Sequence, residues 1–104
     1  MRSRRQDLRG LKVLVVEDQI LMAELLRDYL EDRGCTVVGP AARLGAGLDL
    51  ARSNALDCAL LDINLAGEMS FPIASVLRSR NNPFLFLTGY GPARIPLEFE
   101  GQTC

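Results

Sequence analysis

Glu17, Asp18, Asp62 and Thr88 each follow an apolar run, and together these side chains could do chemistry. Histidine is absent, which excludes Ser-His-Asp and Cys-His catalysis and any His-ligated metal site. The available chemistry is that of carboxylates and a hydroxyl. Carboxylates crowded together repel and raise one another's pKa, and a hard divalent cation resolves that repulsion. Mg2+ prefers a few carboxylate oxygens together with waters and a substrate phosphate. With the charge so balanced, a carboxylate such as Asp62 can attack phosphorus as a nucleophile and form an acyl phosphate. A hydroxyl such as Thr88 can donate to the oxygens of the transferring group. A single Asp after a strand is commonly a turn or helix-cap residue. The ordered set, spread over three runs, is what points to a site.

The elements that must position these groups alternate along the chain. Residues 11–16 form a β-branched, nearly continuous apolar run, the pattern of a strand covered on both faces. Over 20–33, Met22, Leu25, Leu26, Tyr29 and Leu30 fall on one helical stripe, and Gly34 follows as a stop. Thr36-Val37-Val38 reads as a second strand closed by Gly39-Pro40. A weaker helix spans 44–53, with Gly45 and Gly47 disfavouring its start. Residues 58–61 form a third buried strand ending at Asp62. Pro72 suits the first turn of a helix carrying Ile73, Val76 and Leu77. Residues 84–87 form a fourth strand, read as buried on both faces and ending at Thr88. Such alternation predicts a parallel sheet flanked by helices. All C-terminal strand ends of such a sheet share one edge, so acids distant in sequence converge there.

Composition narrows the function further. At 104 residues the chain is one domain, with 48% apolar and 24% charged residues. Twelve basic against thirteen acidic residues give a net charge of -1, which points to neither nucleic acid nor an anionic membrane. The apolar runs are far too short to span a bilayer. Residues 1–10, with Arg2, Arg4, Arg5 and Arg9, read as a flexible basic leader, and 11–104 as the folded domain. Three cysteines without a C-x-x-C pair suit a reducing cytoplasm. No G-x-x-x-x-G-K-[ST] or G-x-G-x-x-G segment follows any strand, which argues against a nucleotide-binding enzyme.

Three segments carry a resemblance. These are Val13-Leu14-Val15-Val16-Glu17-Asp18, then Leu60-Leu61-Asp62-Ile63-Asn64-Leu65 with Gly67, then Phe86-Leu87-Thr88-Gly89-Tyr90-Gly91. In this order and spacing the chain resembles response-regulator receiver domains of bacterial two-component systems. The last segment is similar to that of short stand-alone receivers. The resemblance implies a flavodoxin-like, doubly wound α/β fold with strand order 2-1-3-4. It also implies residue roles. Asp62 resembles the phosphoacceptor and Asp18 the direct Mg2+ ligand, with Glu17 acting on the metal through water. Asn64 would offer its backbone carbonyl, so that its side-chain identity should matter less. Gly67 resembles the loop-shaping glycine, and Thr88 the hydroxyl that contacts the phosphoryl group and reports its presence. The implied partners are a sensor histidine kinase or histidine phosphotransfer protein and a downstream protein target.

The sequence departs from the family at its end. Receivers carry a fifth strand ending in Lys-Pro and a fifth helix, and neither is found in these 104 residues. The single lysine, Lys12, starts the first strand, roughly 20 Å from Asp18 at about 3.3 Å per residue, at the wrong edge. The fourth strand would then present an apolar edge. Either the natural chain continues past Cys104, the preferred reading, or a dimer forms through that edge. The main functional expectation is a Mg2+-dependent phosphoacceptor. The alternative is a docking module of receiver fold that no longer phosphorylates.

Overall fold

Strand β1 (Lys12–Val16) lies at the centre of the sheet, and four of its five residues are buried. The computed structural model describes residues 8–87. After β1 come α1 (Ile20–Asp32), β2 (Thr36–Ala41), α2 (Leu44–Ser53) and β3 (Cys58–Asp62). The short strands β4 (Asn64–Leu65) and β5 (Glu68–Met69) then precede α3 (Phe71–Ser79) and β6 (Phe84–Leu87). The main sheet is parallel with order β2-β1-β3-β6. Because β4 and β5 form a separate antiparallel hairpin, this is the expected 2-1-3-4 order with β6 as fourth strand.

Successive strand side chains point to opposite faces, so β1 feeds two cores. Leu14 and Val16 pack with Ala59, Leu61, Phe84, Ala51 of α2, and Ile73, Ala74 and Leu77 of α3. Val13 and Val15 pack on the other face with Leu30 of α1 and Cys35. The continuous apolar run of β1 is thus explained by cover on both sides. Helix α2 coincides with the expected 44–53, and its glycines have separate explanations. A Cβ on Gly47 would lie 2.5 Å from Cδ1 of Ile73 and 3.4 Å from Cγ2 of Val16. Gly47 therefore lets α2 approach α3 and β1 closely, whereas a Cβ on Gly45 would meet nothing within 4 Å.

Helix α1 ends as the sequence predicts. Gly34 takes φ +92, its N–H donates to Glu31 O, and the Cys35 N–H donates to Leu30 O. Those paired bonds form a Schellman motif that satisfies the last carbonyls. Strand β2 runs longer than expected, through Gly39-Pro40 to Ala41, with an irregularity opposite β1 between Leu14 and Val16. Pro72 sits in the first turn of α3, as expected.

Two burial expectations need correction. On α1 the inward residues are Ala23, Leu26 and Leu30, while Met22, Leu25 and Tyr29 of the expected stripe are exposed. The helix lies over β1 and β2, so only the side turned to those strands is covered among the described residues. Strand β6 is buried at Phe84 but exposes Leu85. Phe84 and Phe86 meet edge-to-face at 5.5 Å, and Phe86 meets Phe71 of α3 at 5.7 Å. Among the described residues no element covers the Leu85 side. The basic residues 1–7 and the whole segment from Thr88 to Cys104 lie outside the described residues.

A carboxylate cluster at the C-terminal edge of the sheet

Strands β1 and β3 are neighbours in register, with Val16 paired to Leu61. Glu17, following Val16, and Asp62, following Leu61, therefore reach the same edge side by side. The Glu17 N–H donates to Ala41 O at 2.9 Å, which holds the end of β1 against β2. Glu17 is 6% exposed, and its Oε2 accepts the Gln19 N–H at 3.1 Å, stiffening the turn that carries Asp18. Asp18 and Asp62 are half-buried. One carboxylate oxygen from each of Glu17, Asp18 and Asp62 lies within 4.8 Å of the other two.

This convergence has an electrostatic consequence. Partial burial pushes the Asp62 carboxyl up to about 7 from the ordinary 3.8, and hydrogen bonds and charge repulsion from Asp18 and Glu17 add to it. A carboxyl crowded by other acids holds its proton more tightly than an isolated one. A cation can replace that proton. Two oxygens on one Mg2+ at about 2.1 Å stand about 3 Å apart when adjacent and about 4.2 Å when opposite. The three acids offer the hard oxygen donors that such an ion takes.

The loop beyond Asp62 is more ordered than the sequence suggests. Asn64 pairs with Met69 and Leu65 with Glu68, leaving Ala66-Gly67 as a two-residue turn. Ala66 has φ 54 and Gly67 φ 97, the paired positive values of a type I′ turn. Gly67 fills the turn position where a positive φ favours glycine. The Asn64 side chain takes part as well, its Oδ1 accepting the Gly67 N–H at 2.7 Å. The hairpin itself was missed, because Ala-Gly is a weaker turn signal than Asn-Gly or Asp-Gly. Ser70, fully buried at the start of α3, donates its N–H to Ile63 O at 2.8 Å and anchors the far end of the loop.

Lys12 opens β1 at the opposite end from the acids, where its backbone N–H donates to Asp57 Oδ2 at 2.8 Å. Thr88 and the Thr-Gly-Tyr-Gly residues lie outside the described residues. Cys35 is a buried free thiol, pushed up by burial. Among the described residues no helix is long and apolar enough to cross a membrane.

Fold and site together define an open, doubly wound parallel α/β domain of flavodoxin type. Its acidic cluster lies where the strand order reverses, between β1 and β3. The chain belongs to the response regulator receiver domain family, whose model matches residues 13–98. It is 35% identical over 83 residues to the sensory transduction protein LytT of Bacillus anthracis. That match covers 77% of this chain and 34% of LytT, so the chain spans about a third of this relative's length. The solution structure of SdrG from Sphingomonas melonis Fr1 is 36% identical with TM-score 0.77, covering 88% of this chain and 78% of SdrG. The response regulator TrrA from Thermotoga maritima, solved in complex with Mg2+-BeF, is 26% identical with TM-score 0.75. That match covers 86% of this chain and 78% of TrrA.

Proposed function

We propose that this receiver domain accepts a phosphoryl group on Asp62 from a phosphohistidine of a sensor histidine kinase or histidine phosphotransfer protein. The observation that carries this reading is the convergence of Glu17, Asp18 and Asp62 within 4.8 Å. A carboxylate oxygen of Asp62 bonds to phosphorus as the P–N bond breaks, and the imidazole nitrogen keeps the electron pair. Asp18, Asp62 and the backbone carbonyl of Asn64 would hold Mg2+, with Glu17 acting through water. When bound, Mg2+ neutralises the crowded acids and polarises the phosphoryl oxygens. The complex of the related TrrA with Mg2+-BeF supports this assignment. Thr88, next after β6, would donate its hydroxyl to the phosphoryl group and change the surface offered to a downstream protein. Cytoplasmic location follows from the proposed kinase partner and the free Cys35.

The test is intact-protein mass after incubation with a small-molecule phosphodonor and Mg2+, beside Asp62→Asn. An adduct on the parent alone, lost in mild base, is the expected result. With donor and metal both in excess, an unmodified parent would overturn the proposal and favour a docking module that does not phosphorylate.

A further inference from the structure

From the hairpin after the phosphoacceptor, we infer that the Asn64 side chain is a positioning residue for the cation site. It presets the backbone that the proposed metal ligand belongs to. This inference rests on the phosphoacceptor reading above.

The turn it closes is under strain. Ala66 stands at φ 54, a left-handed conformation that costs a residue with a Cβ roughly 1–2 kcal/mol. Gly67 at φ 97 tolerates its place, and a Cβ there would meet nothing within 4 Å. Its φ, not its packing, selects glycine. A two-stranded hairpin of two residues per strand has little stability of its own. Something outside the ladder must hold the turn, and the Asn64 Oδ1 to Gly67 N–H bond does so at 2.7 Å. An Asn side chain that captures a nearby backbone N–H substitutes for a backbone turn.

The flanks of Asn64 are fixed independently. Ile63 is 2% exposed and Leu65 1%, so both are clamped by packing. Ser70 N–H holds Ile63 O, and the Ser70 carbonyl accepts from Ile73 and Ala74 in the first turn of α3. Asn64 lies between these anchors with its side chain turned from the core to the turn. Loss of the side-chain bond would loosen the exposed turn at Ala66-Gly67 and, with it, the backbone at Asn64, within two residues of Asp62.

The experiment compares the parent, Asn64→Ala and Asn64→Ser by Mg2+ titration and by hydrogen exchange of the Gly67 amide. A hydrogen bond of ordinary net strength corresponds to about fivefold in an equilibrium constant. Mg2+ affinity should fall about fivefold in Asn64→Ala, with Gly67 exchange faster in the metal-free protein. Asn64→Ser, whose hydroxyl accepts the same N–H more weakly, should recover part of both. Melting temperature checks that each variant is folded. Faster Gly67 exchange with unchanged Mg2+ affinity would overturn the inference, leaving the bond purely structural. Unchanged exchange would overturn it too. A parent that fails to bind Mg2+ would overturn the phosphoacceptor reading itself, and the inference with it.

Discussion

Asp62 and Asp18 lie on adjacent strand ends, with one carboxylate oxygen of each within 4.8 Å of the other and of one from Glu17. That crowding adds to partial burial in raising the Asp62 carboxyl to about 7, and its titration can be followed.

Titration of Asp62 sets a pH dependence in the metal-free protein. Asp62 titrates at about 7 in the fold against an ordinary 3.8. A raised folded pKa contributes stability fully present below the unfolded value and lost as pH rises through the folded one. The parent should therefore lose stability relative to Asp62→Asn between about pH 4 and pH 7. Urea denaturation of both proteins across that range checks this. A difference independent of pH would contradict the raised Asp62 carboxyl.

Metal binding should carry the opposite sign. Mg2+ competes with the Asp62 proton, so its affinity should rise with pH through about 7. Replacing Asp18 with Asn should lower affinity tenfold or more, given that even outer partners of a ligand cost about 10–100-fold. Calorimetric titration at three pH values, on the parent and Asp18→Asn, reports both effects.

The two glycines of α2 should respond differently. Gly45→Ala meets open space and should stabilise the helix by about 0.5–1 kcal/mol. Gly47→Ala forces a Cβ to within 2.5 Å of Ile73 Cδ1, in a position where Ile73 is fully buried. Overpacking of this kind costs about 1–3 kcal/mol, enough to cancel the helical gain or reverse it. Equal effects on denaturation midpoint would show that α2 and α3 are less tightly packed than described.

Strand β6 is sided, and its two first residues test that. Phe84 is fully buried, so Phe84→Ala should cost about 3–5 kcal/mol. Leu85 is 41% exposed, and Leu85→Thr should cost less than about 1 kcal/mol. A large loss at Leu85 would reveal that another segment or a second copy covers that face.

The sequence by itself determined the order of the helices and main-sheet strands, the strands that end in acids, and the one edge on which those acids meet. It could do so because β-branched runs, helical stripes and Gly or Pro stops are local signals, and a parallel sheet aligns its strand ends whatever the spacing. Helix α2, strand β6 and the stop at Gly34 were legible for that reason. Tertiary structure decided the rest. Which side of α1 is inward depends on the strands beneath it, and periodicity alone could not separate Leu26 from Leu25. Gly47 reads as a weak helix residue until Ile73 is seen against it. The hairpin and the Asn64–Gly67 bond were hidden because Ala66 is an atypical residue for positive φ. Only the fold, by anchoring Ile63, Leu65 and Ser70, makes that turn the stable one.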